Sequence, residues 1–554
     1  MRRVSTVVAN GIWMLSTLPQ SAAFHLAVRN VEQAQRQRLL EILRQSANTE
    51  FGRRYDFASI RTTAEFQARL PLLQYEDYQP WLERVGDGQP EVLTAEPVLL
   101  LEPTSGSTAA TKLIPYTASL KAEFQRAIAV WISDLFTHNP TLLGGQAYWS
   151  VSPVVRRDAR TTGGIPIGFE EDGEYLGRWQ HAMLNHILAV PSAVRWISEI
   201  ESFRYVTLLF LLRSPSLRLI SVWNPTFLSL LVACLAEWGP QLAADIAHGT
   251  LTTPTPLAED IDAQLRRQNV PDTRRARELA SIFQATTAPG ERHARLWPRL
   301  RVISCWADAH AALYAQELAR LFPQARIQGK GLLATEGFVS FPLKKKNGAA
   351  LAVRSHFYEF LPPQESDTPP KLAHELIAGN QYAVALTTGG GLYRYQLHDQ
   401  VEVTGFYGEC PLLRFVGKAN HIVDWFGEKL NAAHVSNIVT NVLGELTPEF
   451  WLLACERTLT PPAYTLFIQA SQMADGQLRQ LAANIETGLQ ENFHYRYCRE
   501  LGQLAAVRVF RIAERAQERY LATCQARGQR AGDIKPAALH QADNWAQSFC
   551  GRWL

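Results

Sequence analysis

The chain has 554 residues, 47% of them hydrophobic and 19% charged, with a formal net charge of +3. That length predicts two or more domains with a large core, and so balanced a charge gives no footprint of nucleic-acid or anionic-membrane binding. Seven scattered cysteines with no CxxC pair predict reduced thiols in the cytoplasm, without a disulfide framework or zinc site.

In chain order, Arg2-Arg3 and an apolar stretch to Pro19 imitate a weak secretion signal, interrupted by Asn10, Gly11, Ser16 and Thr17. No window reaches the ~18 uninterrupted apolar residues of a membrane helix. Val31 to Ala47 reads as a helix with Leu39, Leu40, Ile42 and Leu43 on its apolar face, and Thr49 to Tyr55 as a turn. Leu99 to Thr117 follows, LLLEPTSGSTAATKLIPYT. Two short apolar runs flank the small and hydroxyl residues Thr104, Ser105, Gly106, Ser107 and Thr108, and the loop closes on Lys112. Converging backbone N–H groups, hydroxyls and one cation suit a polyanion, and an ordinary polar hairpin loop fits the residues equally. The flanks predict two strands joined by the loop. It is not a Walker loop, since neither a second Gly before Lys112 nor a Ser or Thr after it is present.

Thr117 caps an expected helix with Leu120, Phe124, Ile128, Trp131 and Leu135 at helical spacing. Trp223 to Ile246 reads as an amphipathic helix opening on Asn224-Pro225-Thr226. Leu300 to Ser304 reads as a buried strand leading through Trp306, Asp308 and His310 into a helix; Asp308 with His310 makes an acid–base pair or, as we prefer, a helix cap. In Gly329 to Gly337, GKGLLATEG, a Thr and a Glu side by side in a Gly-bounded loop could give a phosphate a hydroxyl and Mg²⁺ a carboxylate, but Thr335-Glu336-Gly337 by itself carries almost no signal. Lys344 to Gly348 is a solvated hairpin turn. Asp399, after Gly389 to His398, is placed as a ribose ligand at a strand start or as a turn residue. Strands at Trp451 to Cys455 and Tyr464 to Gln469, with a helix from Met473 to Asn492, make a small α/β domain.

Several of these stretches resemble one family. TSGSTAATKLIP is similar to the phosphate loop of the adenylate-forming superfamily, which includes firefly luciferase and acyl-CoA ligases. It is nearer still to the auxin-responsive acyl acid–amido synthetases, in the TSGTTGxxKxIP form of bacterial members. TEFGR at Thr49, Thr335-Glu336, GLYRY with Asp399 and VTGF, Gly427-Glu428-Lys429-Leu430-Asn431, and Ile534-Lys535-Pro536 resemble further motifs of that family in its order. Five places depart from it. Ala109 replaces a Gly, Leu332 the aromatic that stacks on adenine, His398 the Gly before the Asp, and Lys418 the hinge Arg, while the Arg of the last motif is missing, with Ala537 and Ala538 after Pro536.

The resemblance implies an α/β fold, with a large N-terminal adenylation domain of mixed sheets flanked by helices over 1–416. A smaller mobile C-terminal α/β domain would occupy 417–554. It implies an ATP- and Mg²⁺-dependent ligase that converts a small aryl or aliphatic carboxylic acid to acyl-AMP and passes the acyl group to an amine or amino acid. Lys112, Glu336 and Lys535 would be catalytic, with Glu336 also the metal ligand. Thr104, Ser105, Gly106, Ser107, Thr108, Leu332, Thr335, Asp399 and Lys418 would bind nucleotide. Trp223, Thr226, Trp306 and His310 are candidates for substrate contact. A cytoplasmic monomer with neither nucleic acid nor membrane as partner is expected. The rival readings are an acyl-CoA ligase, against which the lack of a basic cluster near the C-terminus weighs, and a non-catalytic small-acid-binding relative.

Overall fold

The computed structural model describes residues 2–104, 112–150, 159–168, 187–285, 288–309, 311–362, 369–418, 422–423, 425–426, 428–500, 502–527, 529 and 534–554. Its contacts divide into two units, one of Met1–Ala307, Ala315–Leu397 and Val401–Phe415, the other of Asp308–Tyr314, His398–Gln400 and Val416–Leu554. The long boundary falls between Phe415 and Val416, and the second unit also takes two short segments that a linear division omits.

Two sheets position the site in the first unit. Four strands, Gln146–Trp149, Leu217–Ser221, Val302–Cys305 and Arg326–Gly329, lie parallel in that order. Helices cover them, so the strands read as short apolar runs rather than alternating ones. The second sheet has seven strands, with Phe357–Leu361, Gln381–Thr387, Tyr395–Tyr407 and Cys410–Lys418 as consecutive neighbours. Period-two alternation along Tyr395–Tyr407 buries Tyr395, Leu397, Asp399, Val401 and Val403 in turn.

The N-terminal stretch forms one helix, Arg2–Ala27, built into the core of this unit. Its Trp13 packs edge-on to Phe136, and Asn10 donates to the carbonyls of Leu143 and Gly145, both at 3.0 Å. The helix expected from Val31 runs Val31–Gln45, capped by Asn30. Thr49 to Tyr55 is not a plain turn: Thr49 accepts from Gly52 N and starts a five-residue helix, Glu50–Arg54. Trp223 to Ile246 is likewise not one helix but two, Pro225–Ala233 and Leu235–His248, bent by 68°. Among the described residues no single helix is long and apolar enough to cross a membrane; this bent pair passes by length and composition, and its Leu228, Leu231, Leu235 and Leu242 are buried in the core.

The second unit has a five-stranded sheet in the order Leu539–His540, Phe450–Glu456, Ala463–Gln469, Ala505–Ile512, Gly551–Trp553. Trp451, Leu453 and Cys455 face one hydrophobic cluster and Phe450, Leu452 and Ala454 the other, so both faces are covered. None of the seven cysteines is in a disulfide.

One buried polar cluster ties the first unit together. Glu123, on the helix Ala118–His138, has no exposure and pairs with Arg38. His356 Nδ1 lies 2.6 Å from its Oε2, and Gly389 N donates to its Oε1 at 2.8 Å. Phe338 N donates to His356 Nε2 at 2.9 Å, which makes that nitrogen the acceptor and places the proton on Nδ1, toward Glu123. Burial holds His356 below its ordinary range despite the Glu123 charge. Burial acts to raise Glu123, but the His356 imidazole that faces it and the Arg38 guanidinium outweigh that and hold the carboxyl low.

Glu123→Ala takes the buried carboxylate from Arg38, which keeps the exposed Glu41, and from His356, and is expected to cost about 3–5 kcal/mol of stability, read as a lower unfolding midpoint in denaturant. A histidine held neutral in the folded state binds its proton more readily once unfolded, so stability declines as pH falls below the ordinary value of 6.5. His293, pushed down to about 4 by burial, adds in the same direction. Thermal melts from pH 7.5 to 5 should show a falling midpoint; a flat or rising one contradicts the neutral assignment.

Candidate active site

Lys112 opens the strand Lys112–Tyr116, which pairs antiparallel with Leu100–Thr104 so that Thr104 stands opposite Lys112. The loop between them, with Ser105, Gly106, Ser107 and Thr108, lies outside the described residues, as does His310. Lys112 Nζ is 3.6 Å from Glu76 Oε1 and 5.0 Å from the centroid of the Tyr75 ring. Glu76 is exposed, and such a pair contributes at most about 1 kcal/mol, so the ammonium is free to exchange it for a phosphate.

Thr335 and Glu336 form the two-residue turn of a small hairpin, Leu333–Ala334 against Gly337–Phe338. Tyr116, at the far end of the Lys112 strand, donates to the Thr335 carbonyl at 2.6 Å. Tyr395 OH lies 3.4 Å from Glu336 Oε1; burial, and then the Glu336 carboxylate, push its phenol well above the ordinary range. The structure thus brings Lys112, Thr335 and Glu336 onto neighbouring elements joined through one tyrosine. Leu332 departs from expectation. It is 3% exposed within the core, its N–H given to Ser340 Oγ, and presents no face for adenine. The partly buried Leu333 and Ala334 carry that strand's accessible side chains.

Asp399 is not at a strand start but inside the strand Tyr395–Tyr407, in its buried row. Lys418 Nζ lies 3.7 Å from Asp399 Oδ1 within the second unit, so these two expected nucleotide ligands meet. His398 adopts φ 59°, the left-handed region that suits the glycine it replaces. The neighbouring GLYRY stretch serves packing. Arg394 holds Glu359 with two nitrogens at 2.8 and 2.9 Å, and Tyr393 OH donates to the Leu93 carbonyl. Glu428 is likewise buried, accepting from Tyr464 OH at 2.6 Å and from the amides of Trp425 and Phe426. Lys535, in the second unit, has an exposed side chain on a backbone fixed by buried Ile534 and by Tyr520 OH, which donates to the Lys535 carbonyl at 3.0 Å.

Of the substrate-contact candidates, Thr226 donates to its own helix cap, Asn224 Oδ1, at 2.8 Å and is buried. Trp306 packs edge-on to Phe415. Trp223 borders an arrangement that the motifs miss. Lys330 Nζ donates to Ser221 Oγ at 2.7 Å and lies 5.2, 5.9 and 5.3 Å from the ring centroids of Trp131, Trp149 and Trp223. Trp149, Ser221 and Gln328 occupy the last rungs of the parallel sheet, and Lys330 follows its fourth strand. Carboxyl ends of parallel strands are where open α/β sheets hold ligands. The legible signal was a Trp at or just beyond the end of three apolar strands, at Trp149, Trp223 and Trp306.

The fold is that of adenylate-forming enzymes. A 2-hydroxyisobutyryl-CoA ligase solved with its acyl-AMP superposes with a TM-score of 0.51 at 10% identity, over 93% of this chain and 90% of that one. The chain belongs to the GH3 family, matching its N-terminal domain over residues 20–327, its central domain over 349–418 and its C-terminal domain over 433–544. The AtGH3.15 acyl acid amido synthetase, solved with 2,4-DB, superposes with a TM-score of 0.81 at 18% identity and 95% coverage of both chains. The indole-3-acetic acid-amido synthetase GH3.17 of Arabidopsis thaliana is 24% identical over 518 residues, 85% of this chain and 84% of its own.

The left-handed backbone at His398 yields a test. His398→Gly should unfold at or above the wild-type temperature, whereas His398→Val, β-branched at positive φ, should lose about 1–2 kcal/mol. Equal melts for both would remove the strain.

Proposed function

We propose that this protein is an ATP-dependent acyl acid–amido synthetase: it activates a small carboxylic acid as acyl-AMP, releasing pyrophosphate, and transfers the acyl group to the amine of an amino acid. The observation that carries the reading is the union of the Lys112 strand with the Thr335–Glu336 turn through Tyr116, in a chain matching all three GH3 domains.

In this reading Lys112 and the Thr335 hydroxyl bind the phosphates, and Asp399 with Lys418 takes the ribose. Among the described residues no three of His, Cys, Asp and Glu gather into a metal cage. A single carboxylate, Glu336, nevertheless fits Mg²⁺, which is commonly held by one or two carboxylates together with substrate phosphates. Bound there, the ion would neutralise charge on the departing pyrophosphate. Lys535 brings a cation to the carboxylate as it attacks phosphorus. Amide formation then needs the amine positioned beside an activated acyl group. A cytoplasmic monomer is proposed as well, and the seven free thiols support a reducing compartment.

Lys112→Ala and Glu336→Ala should each lower acid-dependent ATP–pyrophosphate exchange by ~10²–10³-fold, the usual loss for one positioned electrostatic group. Wild-type exchange in both would end their assignment. Lys535→Ala should block acyl-AMP formation yet convert chemically prepared acyl-adenylate to amide at near the wild-type rate. Equal loss in both steps would make Lys535 structural. Mass analysis of products formed with mixed amino acids or CoA should show an amide; a thioester would favour the acyl-CoA ligase reading.

A further inference from the structure

The lysine enclosed by indoles has no part in the phosphate, metal or ribose chemistry assigned above. Lys330 follows the strand Arg326–Gly329, its amide donating to the Cys305 carbonyl at 3.1 Å, so its stem is fixed by the sheet. Among the described residues its ammonium donates to Ser221 Oγ and has the ring faces of three tryptophans around it. Trp131 gives its ring N–H to Gln328 Oε1 at 3.1 Å, leaving an apolar wall. Trp223 is 39% exposed, so one side of the enclosure is accessible. Burial brings Lys330 down to about 8, still charged for the most part at neutral pH.

Indole faces favour a flat ring, and a fixed ammonium among them favours an acceptor on that ring. The carboxylate undergoing activation must leave any partner to attack phosphorus, and Lys535 is assigned to accompany it. Lys330, anchored by sheet and serine, suits a group that stays in place.

We propose that Lys330 is a specificity residue. It selects aromatic carboxylic acids that carry a second acceptor or anionic group on the ring, a hydroxyl or second carboxylate, held at Lys330 while the ring lies against the tryptophans. This rests on the acyl-acid reading above.

Binding of benzoate and of its three hydroxy- and three carboxy-substituted forms, followed by quenching of tryptophan fluorescence and by calorimetry, tests it without requiring turnover. At least one substituted acid should bind the wild type ~10-fold or more tightly than benzoate, as for a charge-assisted hydrogen bond. Lys330→Met should abolish that preference, and Lys330→Arg should retain part of it. Trp223→Ala, at an exposed position, should weaken all aromatic acids alike, and thermal melts check that each variant folds. Equal binding of benzoate and every derivative, no binding of any, or a preference that survives in Lys330→Met overturns the proposal. So does a Lys330→Met variant that loses benzoate as strongly as the substituted acids, which would put the reacting carboxylate at Lys330. Preferential binding without pyrophosphate exchange would instead sink the synthetase reading and leave the site standing.

Discussion

A single buried carboxylate organises the first unit. Glu123 has no exposure, yet it keeps its charge because Arg38, His356 and the Gly389 amide surround it. An isolated carboxylate there would be prohibitively costly, so the elements carrying its partners must arrive together. Those elements carry or adjoin the motif residues. Gly389 opens the turn that leads to Asp399 along the chain, and a Cβ at Gly389 would stand 2.7 Å from the Glu123 carboxylate. His356 hands the constraint to Phe338 N, two residues beyond Glu336. Thr117, which caps the helix bearing Glu123, follows the Lys112 strand and donates to the Gly389 carbonyl at 2.9 Å. The Lys112 strand, the hairpin that carries Thr335 and Glu336, and the Gly389 turn are thus tied to one helix.

This division of labour explains why motif residues differ in exposure. Arg394, Tyr393 and Glu428 look like active-site chemistry in a motif, yet each is spent on buried hydrogen bonds that fix the backbone. Lys112 makes a weak contact with the exposed Glu76 that an anion can displace, and Lys535 carries an exposed side chain on a backbone fixed by Tyr520. Buried polar networks rigidify, and half-exposed cations respond to ligands.

Much of the fold was legible because its signals are local. Thr117 as a helix cap, the strand pair around the loop, and the apolar strands near Ile303 and Leu453 follow from cap chemistry and short hydrophobic runs. The bend at Cys234 and the burial of Leu332 depend on distant packing, and no spacing rule contains them. His398 shows the intermediate case: the motif demanded a left-handed residue, and the backbone keeps that conformation although the glycine is gone. The Lys330 enclosure was out of reach because Trp131, Trp149, Ser221 and Lys330 come from four separate stretches. The parallel register brings Trp149, Ser221 and Lys330 side by side, and the helix Ala118–His138 adds Trp131.

The coupling through Glu123 is open to direct measurement by amide hydrogen exchange at Phe338 and Gly389. Each donates into the cluster, one to His356 Nε2 and the other to Glu123 Oε1. Both amides should be strongly protected in the native protein, and Glu123→Gln should lower their protection together while amides of the second unit's central strand, Ala463–Gln469, keep theirs. If Phe338 or Gly389 retains its wild-type protection in that variant, Glu123 does not join the two motifs, and the account of how this fold positions its chemistry is wrong.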